Sequence, residues 1–355
     1  MLGQHMRQQR ELPPISIAST KVVEALKEHW IEERGAANVT LDKNDPIWKE
    51  WWIGASGVHK VCPRMFALMA SQQEKADAPK VMFRSETLWN FDQGHAYHDL
   101  MQQKALASFP DGVMLGRWKR WVQIDEDDTS KFKREVVGFE NKVPDGVSLE
   151  RGWGPRPAGD GWEYDEPKLR IPGYRAVVKI DAIFDWPDEG LEVVEIKTEK
   201  LDAKDDLNPK FGGRPRSQHI EQAHIGMWAT GIQKARIIYI FKGDRSLASG
   251  MIEHLVNRDE SIIEEIQDRF RSCILAVAAI DRIRDDQTAL VCDENTVAFK
   301  DLESEAMESV RLVMRAAAEE MPRLTECQMK SKGKPKFCDG RDLCFGVRKR
   351  KKKAG

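Results

Sequence analysis

Asp181, Glu195 and Lys197 are the residues of this chain whose types and spacing could do chemistry. Glu195 and Lys197 sit one residue apart in "LEVVEIKTEK", an otherwise apolar and β-branched run. On a strand, residues i and i+2 point to the same face, so an acid and an amine are presented side by side. Asp181 lies in the preceding apolar run, "YRAVVKIDAIFDW". Two carboxylates meeting at one point suit a hard divalent cation such as Mg2+ or Mn2+, which prefers oxygen ligands. A lysine beside them can position water or stabilise negative charge on a phosphate oxygen. The trio therefore has the parts for metal-assisted phosphodiester hydrolysis. The other reading of the same residues is a partly exposed edge hairpin with a surface salt bridge.

Around them, the sequence suggests a frame. Tyr174–Trp186 reads as one strand, "PDEG" as a turn and "LEVVEIKT" as the return strand of a hairpin. Residues 200–216 are polar and basic and predict a mobile loop. "SQHIEQAHIGMWATG" predicts a helix stopped at Gly231, with His219 and Gln222 on consecutive turns. "ARIIYIFKG" predicts another buried strand. The spacing of Ile263, Ile266, Phe270, Ile274 and Val277 predicts a helix over 258–285, and another covers 301–320. Upstream, helices are expected over 17–34 and 86–107, the latter holding "GHAYHDLMQQKAL", and short strands over 117–149. The Gly- and Pro-rich stretch 150–169 reads as a long loop or insertion.

A second set of residues could bind metal. Cys327, Cys338 and Cys344 fall in "ECQMKSKGKPKFCDGRDLCFG", amid basic and glycine residues that do not look like core. Thiolates suit iron–sulfur clusters or zinc, and three are one short of the usual four. Cys273 and Cys292 read most simply as buried or incidental free thiols.

Nucleic-acid contact has weaker signals. "RWKRWVQ" and "PIWKEWWIG" interleave tryptophan with charge, as a single-strand groove can, although each tryptophan alone reads as a core or loop anchor. Lys210, Arg214 and Arg216, between the Lys197 strand and the Gln222 helix, could hold a DNA backbone. The net charge of −2 over 355 residues rules out a polycation, and the basic run closing the chain reads as a solvated tail. No apolar run approaches a membrane span and the N-terminus lacks a signal-peptide pattern, so a cytoplasmic protein without a membrane partner is the expectation.

Taken in order, these pieces resemble a PD-(D/E)xK nuclease of the RecB-like exonuclease family. The likeness is to its iron–sulfur branch, which includes CRISPR-associated RecB-type nucleases and the nuclease domain of AddB. "VCPRMFAL" resembles the family's cysteine–proline–arginine segment, "GHAYH" its G-x-x-x-H motif, "VVKIDAIFD" its aspartate strand and "VEIKT" its E-x-K. "HIEQAHIGMW" resembles the helix that usually reads H-x-x-Q-x-x-x-Y, with the tyrosine position occupied by Gly226 and Trp228 nearby. The set spans about Cys62 to Cys344.

The resemblance implies an α/β fold with a restriction-endonuclease-like core, a mixed central sheet flanked by helices. It implies a helical segment over 1–60, a nuclease core over 61–325, a cysteine-stapled tail over 326–346 and a basic tail over 347–355. It further implies that His98, rather than His95, ligates Mg2+ or Mn2+ together with Asp181, Glu195 and the Ile196 carbonyl. Lys197 would be the catalytic lysine and Gln222 a supporting or DNA-contacting residue. Cys62 would join Cys327, Cys338 and Cys344 around a 4Fe–4S cluster, with zinc as the alternative.

The function implied is exonucleolytic hydrolysis of DNA, single-stranded or with free ends, in replication, recombination or repair, alongside a helicase or recombination partner. Two other readings are a non-catalytic nucleic-acid-binding module and a zinc-stapled interaction protein.

Overall fold

In the computed structural model, the described residues are 52–55, 61–71, 93–105, 109–110, 112–124, 131–242, 250–291, 302 and 304–321. The chain divides into two units, Met1–Asp42 with Asp77–Gln93, and Lys43–Ala76 with Gly94–Gly355. Apart from Gln93, the described residues belong to the second. The expected helix at 17–34 and Cys292, Cys327, Cys338 and Cys344 lie outside the described residues.

In chain order the strands are β1 (Ile53–Gly54), β2 (Met114–Gln123), β3 (Phe132–Val136), β4 (Ser148–Arg151), β5 (Gly154–Pro155), β6 (Glu163–Asp165), β7 (Lys168–Ile171), β8 (Ala176–Lys179), β9 (Ala182–Trp186), β10 (Gly190–Lys200), β11 (Lys234–Lys242) and β12 (Met251–Asn257). The helices are α1 (Pro63–Ala70), α2 (93–105), α3 (Lys204–Leu207), α4 (Ser217–Thr230), α5 (Glu260–Val291) and α6 (Ser304–Glu320).

The larger sheet runs β12-β11-β10-β9-β2-β3, with β5 and β6 also paired to β2. Its β10–β11 pair is parallel and its other pairs antiparallel, so the sheet is mixed. β10 and β11 lie at its centre. Val193, Val194 and Ile196 are buried, as is β11 from Ile237 to Phe241, because both faces of these strands are covered. On one face Val193 joins α4 and α5 in the main core; on the other, Val194 and Ile196 pack with Met101, Met114 and Trp118.

α4 ends where the sequence expected, at Gly231, whose left-handed φ of 79° lets its N–H bond the Met227 carbonyl. Ala223 through Thr230 are all buried, so α4 is enclosed rather than amphipathic. Gly226 is a point of close approach between α4 and β10. A Cβ there would lie 3.0 Å from Val193 Cγ1, so the helix backbone rests on β10. Trp228 is packed edge-on against Tyr174, ring centroids 4.8 Å apart, in the core.

Three expectations change. The single strand over Tyr174–Trp186 is two strands: β8 joins a smaller sheet, β1-β8-β7-β4, while β9 joins the larger one. The chain crosses between them at Ile180 and Asp181, where Ile180 N–H bonds the Pro167 carbonyl. The stretch 150–169 is no plain loop; it contains β5, β6 and parts of β4 and β7. Residues 201–216 carry α3 and two 3-10 turns, Leu201–Ala203 and Pro209–Phe211, in place of an irregular loop. Leu207 is buried, its carbonyl bonded to His254, and Gly213 fits against the Leu207–Asn208 backbone where a Cβ would be 2.5 Å away. No described helix is long and apolar enough to cross a membrane.

Candidate active site

The crossing at Asp181 builds the site. A residue leaving one sheet for another has backbone geometry that no single ladder dictates, so its side chain can turn toward the neighbouring strand. Asp181 Oδ2 accepts a hydrogen bond of 2.7 Å from Ile196 N–H on β10. That bond places the aspartate beside the strand that carries Glu195 and Lys197.

α2 supplies the histidine. Its first residues are α-helical, and Leu100–Ala105 widen into a π-helical turn, a form common at functional sites. His98 Nδ1 lies 3.7 Å from Asp181 Oδ1, with the Ile196 backbone close by the ring. The widened turn directs two successive glutamines. Buried Gln102 donates from Nε2 to the Asp181 carbonyl at 3.0 Å and to Glu166 Oε1 at 3.2 Å. Gln103 pairs with the Tyr164 backbone like an extra strand residue, donating to its carbonyl and accepting from its N–H, each at 2.8 Å.

These bonds fix Glu166, just beyond β6. One ligand atom each from His98, Glu166 and Asp181 lies within 4.8 Å of the others. Sequence reasoning missed Glu166. Its only signal was an acid before a proline in a stretch that reads as loop, and its position depends on the glutamines of a distant helix.

The electrostatics follow from burial. Glu195 is 3% exposed and Asp181 8%. Burial pushes the Asp181 carboxyl up to about 6, partly offset by Lys197 and the Ile196 N–H. It pushes Glu195 up to about 7, again partly offset by Lys197. Burial opposes the Lys197 charge, but Glu195 and Asp181 outweigh it and hold the ammonium above its ordinary value. Lys197 Nζ donates to Glu195 Oε1. Burial first, and Lys197 next, lower His98, which keeps its imidazole neutral and able to ligate.

On the β11 side, Tyr239 is paired with Lys197. Its hydroxyl receives the Arg216 N–H at 3.1 Å and lies 2.8 Å from His219 Nδ1, so α4 is anchored next to the lysine. His219 is buried there and not among the acids. Gln222, one turn on, is half-buried and makes no hydrogen bond among the described residues. Lys210 and Arg214 are exposed. Arg216 is exposed and forked onto Glu199 at 2.7 and 3.3 Å.

Cys62 is buried just before α1, close enough to Cys273 that its thiol, after burial, helps push the Cys273 pKa up. Both are free thiols. Arg64 Nε donates to the Met321 carbonyl at 2.7 Å, joining the start of α1 to the residue that follows α6.

No protein-family model matches this sequence, and no curated protein is significantly similar to it. Solved structures that align with it include SSO0001, at 13% identity, covering 78% of this chain and 98% of that one, with a TM-score of 0.31. An alkaline exonuclease (LHK-Exo) from Laribacter hongkongensis aligns at 13% identity over 75% of this chain and 100% of its own, TM-score 0.39. The same exonuclease in complex with dAMP aligns at 12% identity over 69% and 100%, TM-score 0.34.

Proposed function

We infer that this chain is a divalent-metal-dependent nuclease that hydrolyses DNA phosphodiester bonds. One observation carries the reading: His98, Glu166 and Asp181 converge beside a buried Glu195–Lys197 pair at the point where the chain changes sheets. A structural salt bridge does not need a third carboxylate and a neutral imidazole packed against it. The donor set fits Mg2+ or Mn2+, being mainly hard oxygen with one nitrogen. His98, Asp181 and Glu166 would hold the ion, with Glu195 and the Ile196 carbonyl adjacent.

When bound, such an ion polarises the phosphoryl oxygen and lowers the pKa of an attacking water. The chain's own residues do the rest. Ile196 N–H holds one Asp181 oxygen, leaving Oδ1 turned to His98. Gln102 holds Glu166 and the Asp181 backbone in register. Lys197 stays charged in a dry setting, where it can offset the charge that grows on the phosphate as the bond breaks.

The finer reading is exonucleolytic attack from free ends, in replication, recombination or repair, with Lys210, Arg214 and Gln222 toward the DNA backbone. It includes a 4Fe–4S cluster on Cys62, Cys327, Cys338 and Cys344. Support for the cluster is the Arg64–Met321 bond, which brings Cys62 near the point from which the cysteine tail departs.

The test is digestion of end-labelled linear and circular DNA, single- and double-stranded, with Mg2+, Mn2+ or EDTA. Cleavage should need the metal, and Glu195→Gln or Lys197→Ala should slow it by at least about a hundredfold. Undiminished Mg2+-dependent cleavage by Asp181→Asn overturns the site. Nicking of closed circles as fast as linear DNA removes the end requirement and leaves the nuclease standing.

A further inference from the structure

β2 begins inside the large sheet, with Met114 and Leu115 paired to Phe184 and Ile183 of β9. Continued, that antiparallel register brings Arg117 level with Asp181. The strand then runs past the site and pairs with β3, from Lys119↔Val136 to Gln123↔Phe132. Its far end is a two-stranded ribbon, and every residue of β3 is exposed.

Alternation decides which face is which. Leu115 shares a face with Ile183 and Val193, and two and four residues beyond Val193 on that face stand Glu195 and Lys197. Arg117, Lys119, Trp121 and Gln123 continue the Leu115 face, while Met114 and Trp118 are buried in the opposite core, as the alternation requires. Through the pairing, Arg134 and Phe132 of β3 join them.

Trp121 is 61% exposed and Phe132 51%. As diagonal neighbours they lie roughly 7–8 Å apart. Two large exposed aromatics side by side on the ribbon mark a contact surface.

Charge limits what can occupy it. Arg117 is near Asp165, and Glu163 flanks Lys119 on β6. The sequence joining the two strands carries Asp125, Glu126, Asp127 and Asp128. A partner held by phosphate contacts alone is therefore disfavoured, and one held by flat apolar faces is favoured. The bases of an unpaired strand offer such faces; a duplex hides them in its stack.

We propose that the Trp121–Phe132 face of the ribbon binds single-stranded DNA by base stacking and leads it toward Glu195 and Lys197 on the same sheet face. This rests on the nuclease reading for the destination of the strand, and not for the binding itself. Stacking carries the affinity, with Lys119 and Arg134 secondary, so the salt dependence is shallow.

The test is fluorescence anisotropy of labelled oligothymidylate with full-length protein in EDTA, paired with cleavage assays in Mg2+. Trp121→Ala and Phe132→Ala should each weaken binding roughly tenfold. Trp121→Phe should retain most of the affinity, and Lys133→Ala, on the opposite ribbon face, should stay within about twofold. The aromatic variants should raise KM for single strands and leave kcat near its original value. A duplex of equal length should bind more weakly and ignore Trp121→Ala.

Unchanged affinity in both alanine variants overturns the proposal, even if the protein cleaves DNA. Aromatic-dependent binding without cleavage supports the ribbon and removes the nuclease reading. Absence of oligothymidylate binding by the unaltered protein overturns the proposal outright.

Discussion

At the scale of single residues, the site is held together against its own electrostatics. Asp181 and Glu195 have folded-state pKa values near 6 and 7, above the ordinary carboxylate value near 4, because burial disfavours their charge. A carboxyl whose pKa rises on folding favours the folded state at low pH. That contribution is present below about 4 and is lost as pH climbs through 6 and 7. The metal-free protein should therefore lose stability at this site between roughly pH 4 and 7. A divalent cation needs the deprotonated forms, so it should restore what the pH rise removes. Mg2+ is expected to raise the melting temperature more at pH 8 than at pH 5.5, and Glu166→Gln should shrink that rise. Calorimetry near pH 6.5 in buffers of different ionisation enthalpy should show protons released on Mg2+ binding. An equal Mg2+ shift at both pH values would contradict the assignment. Glu195 and Lys197 were conspicuous in the sequence because charge is expensive in an apolar strand. Glu166 was not, since nothing about an acid in a Gly- and Pro-rich stretch tells which glutamine will reach it.

At the scale of elements, α4, β11 and α5 follow the sequence pattern closely: α4 stops at Gly231, β11 is a largely unbroken apolar run, and α5 has an apolar helical period. The break between β8 and β9 left no such mark. Val178, Ile180 and Ile183 are all buried, so one apolar run serves two sheets, and only the switch of hydrogen-bonding partners separates them. Residues 201–216 misled for a different reason. Their polar composition reads as solvated chain, but Leu207 and Ala203 pin them from below and Asn208 caps the Pro209–Phe211 turn. Gly226 is where element packing touches the chemistry, since α4 rests on β10 two residues before Glu195. Gly226→Leu should force the helix off the strand, at a cost of roughly 1–3 kcal/mol. Alanine is a poorer test, because its gain in helix propensity of about 1 kcal/mol offsets the crowding. The denaturation midpoint of Gly226→Leu should fall with the m-value unchanged. Cleavage per folded molecule should fall too, because Glu195 and Lys197 ride on the displaced strand. A leucine variant as stable as the original would mean that the Val193 contact can relax.

At the scale of the molecule, sequence positions far apart meet where α1 packs against α5 and α6. Arg64 holds the Met321 carbonyl across that junction. Cys62 is two residues before Arg64, and Cys327 is six residues after Met321. Six residues span at most about 20 Å, so the cysteine tail begins within reach of Cys62. The resemblance alone suggested that the two ends meet; no local pattern could, since helix ends find each other only through tertiary packing. A cluster joining Cys62 to Cys327, Cys338 and Cys344 would close a loop of most of the chain. For a comparable covalent crosslink, the loss of unfolded-state entropy is worth about 5 kcal/mol. Cys273 gives this idea its control. It is buried against the same junction and shares Cys62's surroundings, but it sits inside α5 with its thiol held protonated by burial and by Cys62. In anaerobically prepared protein, Cys62→Ala should bleach the visible absorption and lower the melting temperature by several degrees, whereas Cys273→Ala should keep its colour. Both substitutions remove a buried sulfur of the same size, so packing loss affects them alike and only ligation separates them. Stoichiometric zinc in colourless protein would replace the iron–sulfur cluster with a zinc staple on the same four thiols. Colour that survives Cys62→Ala and disappears in Cys273→Ala would move the fourth ligand from the residue before α1 into α5.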